Sequence, residues 1–214
     1  MKTVHVITIA REYGSGGAII GRDLATRLRW RLLDRDLISE VARRAHIEPS
    51  AITEMDEHPS SFISNLLKTF WLGNYAWYGP TPEVVDADYL VQVSGIVIWE
   101  AGKLGGCVIV GRGAQCVLRQ QHDVFHAFVY ASRHERLRRI RNQHRTEADA
   151  ELALDETDRT RAAYIRTYYG CDWADRHLYD IMINSDIGPE RVVSLILEAA
   201  SLGAPASVAA ESRT

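Results

Sequence analysis

VHVITIAREYGSGGAIIGRDL, residues 4–24, is the stretch that decides the fold of this chain. Its first part, residues 4–10, is β-branched and almost wholly apolar, which predicts a strand buried on both faces of a parallel sheet. The glycine-rich residues 14–17 end this pattern. Apolar residues then recur at the spacing of one helix face, at Ile20, Leu24 and Leu28. The stretch therefore predicts a strand, a tight loop and a helix.

The loop between this strand and helix is predicted to bind phosphate. Small residues in such a loop leave backbone N–H groups exposed, and the positive end of the helix attracts phosphate oxygens as well. The predicted binding residues are Gly14, Ser15, Gly16, Gly17 and Ala18. A plain tight turn is the alternative, but the strand and the helix on either side favour the phosphate site.

Two nucleotide-binding patterns compete for this loop, and neither fits completely. A Rossmann fingerprint has a suitable acid at Asp34 but needs a third glycine where Ile19 stands. A Walker loop aligned on Gly16 has Gly17 in the place of its lysine and Ala18 in the place of its hydroxyl. From these residues alone, both folds stay open.

The rest of the chain alternates strand and helix patterns. Further strands are predicted at residues 31–34, 107–110, 124–130 and 179–184, and helices at 88–103, from Ser132 onward and at 189–200. Parallel strands joined by right-handed helical crossovers predict a three-layer α/β fold with a parallel sheet of about five strands. One domain over residues 1–202 is expected, with a mobile insertion at 46–85 and a disordered tail at 203–214.

Composition limits the classes of function. The chain has 214 residues, 46% of them hydrophobic, a net charge of −3 and a pI near 6.2, which argue against general attraction to nucleic acid or to an anionic membrane surface. Its three cysteines form no CxxC pair, so no disulfide framework or zinc site is indicated. No apolar run could span a bilayer. A soluble cytoplasmic protein is expected, and its oligomeric state is left open.

Three motifs carry a longer resemblance. They are IAREYGSGG at residues 9–17, LDRD at 33–36 and VIVGRG at 108–113, with weaker similarity at 135–139, 158–161 and 183–185. In these motifs the chain resembles the cytidylate kinase-like family, a nucleoside monophosphate kinase branch of the P-loop kinases. The resemblance implies a P-loop kinase fold with a helical lid near residues 142–160, and a monophosphate-binding insertion at 46–85. It also implies ATP and Mg²⁺ as cofactors and small-molecule nucleotides as substrates.

The resemblance also implies roles for individual residues. The loop amides and the Ser15 hydroxyl would hold the donor β-phosphate, and Arg112 would hold the acceptor monophosphate, since a guanidinium donates paired hydrogen bonds to phosphate. Asp34 would accept a hydrogen bond from substrate or bind water around Mg²⁺, although a helix N-cap is an equal alternative. The lid arginines expected to neutralise the transferring group are Arg136, Arg139 and Arg161.

This chain departs from the family pattern at several positions. Gly113 and Gly17 stand where the family has a cytosine-reading aspartate and the loop lysine, and the metal ligands stay unidentified. Arg11, at the mouth of the loop, is the predicted replacement for the lysine; an ion pair with Glu12 or Asp34 is its alternative role. The leading hypothesis is an ATP-dependent phosphotransferase. A non-catalytic nucleotide sensor and a Rossmann oxidoreductase are the competing ones.

Overall fold

The structure is a computed structural model that describes residues 3–34, 87–143 and 146–202. The predicted insertion at 46–85 and the predicted tail at 203–214 lie outside the described residues, as do residues 144–145 of the predicted lid. Within the described ranges, no helix has both the length and the apolar character needed to cross a membrane.

Strands and helices alternate along the described chain. The five strands are β1 (Val6–Arg11), β2 (Arg31–Leu33), β3 (Cys107–Val110), β4 (Val124–Tyr130) and β5 (Ile181–Asn184). The described α-helices are α1 (Gly17–Leu28), α2 (Ala87–Leu104), α3 (Ala114–Val117), α4 (Arg133–Ile140), α5 (Glu147–Tyr169) and α6 (Pro189–Ala199).

The strands form one parallel sheet in the order β2-β3-β1-β4-β5. The apolar run predicted from the first residues becomes its central strand, where residues 6–10 are buried because strands lie on both sides and helices cover both faces. In a Rossmann sheet the second strand lies beside the first. Here β3 lies between them, so the Rossmann alternative is wrong.

Helices cover the sheet in two outer layers. One hydrophobic core joins it to α2, α3 and α5, through residues such as Ile98, Leu118 and Tyr164. The other joins it to α1 and α6, through residues such as Leu24 and Ile196. The three-layer α/β prediction is therefore confirmed.

Two helix starts in the second half of the chain have side-chain caps. Ser132 precedes α4, and its hydroxyl accepts a hydrogen bond from the Glu135 amide at 3.3 Å, as the S-x-x-E spacing predicts. Thr146 and Asp149 form a reciprocal capping box at the start of α5, with two hydrogen bonds of 3.1 Å. From this cap α5 continues without a break for 23 residues. The long helix carries side chains from the lid region back to the sheet.

Candidate active site

The glycine loop lies at the carboxyl end of the central strand, between β1 and α1. Gly14 and Gly16 have positive φ angles of 77° and 81°, which glycine adopts without strain. The Ser15 amide donates to the Glu12 carbonyl at 3.3 Å and closes the turn, and Gly16 precedes the first turn of α1. Ala18 follows in that turn and is half-buried. The predicted strand-loop-helix arrangement is therefore present.

The Ser15 hydroxyl, which was predicted to bind phosphate, is engaged within the loop in this structure. The Ser15 side chain is fully buried, and its hydroxyl donates to the Glu12 carbonyl at 2.8 Å. The Ser15 carbonyl accepts hydrogen bonds from the Ser185 hydroxyl at 2.7 Å and from Arg139 Nη1 at 3.0 Å. The side chain thus holds the loop in shape, and the loop is tied to the end of β5.

Gly14 packs directly against helix α4, so its substitution should cost more stability than that of an open glycine. A methyl group on Gly14 would lie 2.9 Å from the Arg136 carbonyl oxygen, whereas one on Gly170, also at positive φ, would meet nothing within 4 Å. Both Gly14→Ala and Gly170→Ala impose left-handed strain of about 1 kcal/mol. Overpacking adds roughly 1–3 kcal/mol to Gly14→Ala alone. Urea denaturation of both variants measures the difference, and equal losses would contradict this packing.

Arg112 lies in a strained turn directly after β3. The three residues Gly111, Arg112 and Gly113 have φ angles of 75°, 61° and 73°. A left-handed conformation costs a non-glycine residue roughly 1–2 kcal/mol. The Arg112 side chain is nevertheless buried, at 5% exposure. Strain and burial of a charge at one position are features of a functional site.

Three arginines converge in a cleft beside this turn. Arg11, Arg112 and Arg161 line it together with Gln115 and Trp173. Burial is the main cause, and the charge of Arg11 the second, that lowers the pKa of Arg112 to about 10 and the pKa of Arg161 to about 9. Both groups stay charged at neutral pH. The fold therefore holds three like charges close together at the ends of β1 and β3.

Arg136 and Arg139, predicted as lid arginines, face the back of the glycine loop. The buried Arg136 side chain donates to the Tyr13 carbonyl at 2.7 Å and pairs with Glu12 at 3.2 Å and with Asp158. Its charge is balanced by two carboxylates, so it joins α4 and α5 to the loop. Arg139 is more exposed, and its Nη1 would lie 3.8 Å from a methyl group on Gly16. Arg136 is thus held in internal ion pairs, whereas Arg139 lies beside the loop and donates to the Ser15 carbonyl.

Asp34 follows β2 and lies near enough for its charge to act on two of the cleft arginines, Arg11 and Arg112. Its charge raises the pKa of Arg11, against the larger lowering effect of burial, and it raises the pKa of Arg112 as well. The helix that Asp34 was alternatively predicted to cap lies outside the described residues. Among the described residues no group of three His, Cys, Asp or Glu side chains could hold a metal ion. Mg²⁺ commonly uses one or two carboxylates plus phosphates and water, and Asp34 fits that smaller role.

At two glycine positions, side chains from elsewhere in the chain occupy the space that a Cβ atom would need. A methyl group on Gly17 would lie 2.5 Å from Arg11 Cβ, and one on Gly113 would lie 2.4 Å from the Tyr169 ring. These are the positions where the resemblance expects the loop lysine and the base-reading aspartate. Both departures from the family pattern thus have a steric cause in this fold.

Sequence reasoning did not identify every residue of the site. Ser185 holds both the loop and Arg139, and Trp173 lines the arginine cleft. Ser185 is 170 positions away from Ser15 in sequence. The motif at residues 183–185 was the available signal for it.

The parallel sheet, the loop after its central strand and the arginines at the strand ends define a protein with the P-loop kinase fold. The chain belongs to the cytidylate kinase-like family, whose model matches residues 6–187. It is 37% identical over 77 residues to a cytidylate kinase of Thermoplasma volcanium. That alignment covers 35% of this chain and 40% of the relative, so the chain spans about two fifths of the curated protein it matches.

Solved structures show the same fold. An uncharacterized protein of Eubacterium ventriosum superposes with a TM-score of 0.67 and 20% identity, over 92% of this chain and 98% of that one. A shikimate kinase of Bacteroides thetaiotaomicron superposes with a TM-score of 0.53 and 16% identity, over the same shares of the two chains. At these identities the likeness concerns the fold.

Proposed function

We propose that this protein is an ATP-dependent phosphotransferase that acts on a nucleoside monophosphate or a similar small phosphate-bearing acceptor. The observation that carries the proposal is the cleft of Arg11, Arg112 and Arg161 beside the glycine loop. Like charges placed together away from water are unfavourable unless an anion joins them. A phosphate group in the cleft would offset that repulsion.

The two sides of the site would have separate tasks. The glycine loop and Arg139 would hold the phosphates of ATP, because the loop presents backbone amides and Arg139 lies against Gly16. Arg112 and Arg161 would hold the acceptor phosphate, with paired N–H donors suited to its oxygens. Mg²⁺, carried mainly by the nucleotide phosphates and reached by Asp34, would neutralise phosphate charge.

The reaction is a direct transfer. An oxygen of the acceptor forms a new bond to the γ-phosphorus of ATP while the bond between that phosphorus and its bridging oxygen breaks, and ADP leaves. The protein contributes positioning and positive charge rather than a covalent intermediate. The shared segment with a cytidylate kinase supports a nucleotide acceptor. Gly113 in place of the family's aspartate argues that the base is read differently here.

A thermal-shift panel tests this assignment. Ligands that bind only the folded state raise the melting temperature, by an amount that grows with the logarithm of ligand concentration over Kd. We expect stabilisation by ATP with Mg²⁺ and by at least one of CMP, dCMP, UMP and AMP, and none by cytidine or shikimate, which lack a phosphate. Stabilisation by cytidine equal to that by CMP would contradict the role of the arginine cleft.

A non-catalytic nucleotide-binding protein is the second candidate. It is favoured by the glycine at position 17 and the alanine at position 18, which remove the two side chains that a Walker loop uses on phosphate and metal. Such a protein would give the same thermal shifts but would form no ADP when ATP and the acceptor are both present. Measurement of ADP release separates the two functions.

A further inference from the structure

The Arg11 side chain begins in the space that a side chain at position 17 would need. A methyl group on Gly17 would lie 2.5 Å from Arg11 Cβ and 2.8 Å from Arg11 Cγ. Cβ is fixed by the backbone, so a change of rotamer cannot move it away. Any residue with a Cβ atom at position 11, arginine included, therefore limits position 17 to glycine.

The other end of the same side chain reaches the acceptor side of the site. A methyl group on Gly111 would lie 1.7 Å from Arg11 Nη1 and 3.0 Å from Arg11 Cζ. The guanidinium therefore rests on the backbone of Gly111, next to Arg112. From Cβ to guanidinium, the side chain crosses the gap between the start of α1 and the end of β3.

Neighbouring groups hold Arg11 in this position. Arg161 Nη1 donates a hydrogen bond of 2.9 Å to the Arg11 carbonyl, and the Gly111 amide donates one of 2.9 Å to the Ile9 carbonyl. These bonds join α5 and the end of β3 to the end of β1. Asp34 is the acid that acts on the Arg11 charge, while Glu12, its other predicted partner, pairs with Arg136.

We propose that Arg11 takes the place of the P-loop lysine and that its guanidinium contacts the phosphoryl group in transfer, between donor and acceptor. This proposal rests on the proposed function. A lysine at position 17 would begin in the space that Arg11 occupies, so the two residues exclude each other. Arginine at the end of β1 and glycine at the start of α1 would thus provide the same positive charge as a P-loop lysine, but from a different position in the chain. On this proposal, the glycine at position 17 means that the positive charge comes from position 11 instead, and the activity is kept.

Removal of the charge alone is the first test. Arg11→Met keeps the apolar stem that packs on Gly17 but has no guanidinium. We expect a melting temperature within a few degrees of the parent and a kcat at least 100-fold lower, as for other single groups that stabilise a transition state. Arg11→Lys should keep part of the rate. A purely structural Arg11 would instead leave kcat of Arg11→Met unchanged, and that result would overturn the proposal.

An exchange of positions is the second test. Gly17→Lys alone should unfold at a clearly lower temperature, because its Cβ meets Arg11. The double variant Arg11→Gly/Gly17→Lys, which removes the Arg11 Cβ, should be more stable than Gly17→Lys alone and show at least tenfold more activity than Arg11→Gly alone. Gly17→Ala should likewise lower the melting temperature in the parent but not in the Arg11→Gly background. If substitutions at positions 11 and 17 change the melting temperature and the activity independently of each other, the proposed exchange of the positive charge between these positions is wrong.

The affinity for ATP separates a failure of this proposal from a failure of the proposed function. If the parent protein binds ATP with Mg²⁺ but transfers nothing, the phosphotransferase assignment fails. In that case the exchange of the positive charge between positions 11 and 17 is tested by ATP affinity, measured by calorimetry. This affinity should fall in Arg11→Met and recover in the double variant. If the parent transfers phosphate and Arg11→Met does so equally well, only the role of Arg11 is wrong. A parent that does not bind ATP overturns both.

Discussion

Replacement of Arg112 by alanine is expected to weaken binding of the acceptor monophosphate about 100-fold and to change ATP affinity only a few-fold. Arg112 is buried in the cleft at the end of β3, and the residues of the glycine loop that would hold ATP do not line that cleft. Loss of one partner of a buried charged hydrogen bond costs about 2–5 kcal/mol, and 1.4 kcal/mol is tenfold in affinity. Calorimetric titration of each ligand measures the two affinities.

Two variants control this prediction. Arg112→Lys keeps the charge but not the planar pair of donors, so its acceptor affinity should lie between those of the parent and of Arg112→Ala. Arg119→Ala removes an exposed arginine just beyond α3 and should change neither affinity. Equal loss of ATP and acceptor affinity in Arg112→Ala would show that Arg112 is not specific to the acceptor side.

Replacement of Asp158 by alanine is expected to produce the largest loss of stability. Its carboxylate pairs with the buried Arg136, lies 3.7 Å from Arg161 and accepts a hydrogen bond of 2.8 Å from the Tyr13 amide. Breaking a buried ion pair from one side costs up to about 3–5 kcal/mol, because the buried Arg136 would keep only Glu12 as a partner. Urea denaturation should show this loss, a large share of the 5–15 kcal/mol typical of a domain.

Asp155 provides a matched control one turn earlier on α5. It pairs with Arg133 at 2.6 Å, but both side chains are 49% exposed, so water screens the pair. Asp155→Ala should therefore change stability much less than Asp158→Ala. Asp158→Asn keeps an acceptor for the Tyr13 amide and removes the charge, so a loss close to that of alanine would assign the effect to charge. Similar losses in Asp155→Ala and Asp158→Ala would contradict the buried network.

Much of the fold could be predicted because buried strands leave a strong local pattern. The apolar runs at residues 107–110 and 124–130 become β3 and β4 with the predicted bounds. The fifth strand was predicted to begin at residue 179 but begins at Ile181. Tyr179 belongs to the core rather than the sheet ladder, and its hydroxyl donates to the Trp173 carbonyl at 2.8 Å. Because a buried aromatic residue is typical of both a core and a strand, the sequence pattern included Tyr179 in the predicted strand.

The site could be predicted in its parts but not in its contacts. The pattern and the resemblance identified Arg11, Arg112 and Arg161, which the fold brings into one cleft. The partners of Arg136 could not be read from local spacing, because its carboxylates come from β1–α1 and from α5. The steric causes of the glycines at 17 and 113 also lie in other elements. Such contacts depend on packing, which a single sequence does not display.

Phosphorus-31 NMR of the purified protein with ATP, Mg²⁺ and the monophosphate that stabilises it best tests the central claim most directly. We expect ADP and the phosphorylated acceptor to appear in equal amounts, and this transfer to be lost in Arg112→Ala at the same acceptor concentration. Under the same conditions the parent without acceptor should release far less ADP. If the parent binds both ligands and the ATP signals remain unchanged over hours, the cleft binds nucleotide without transferring phosphate, and the account is contradicted.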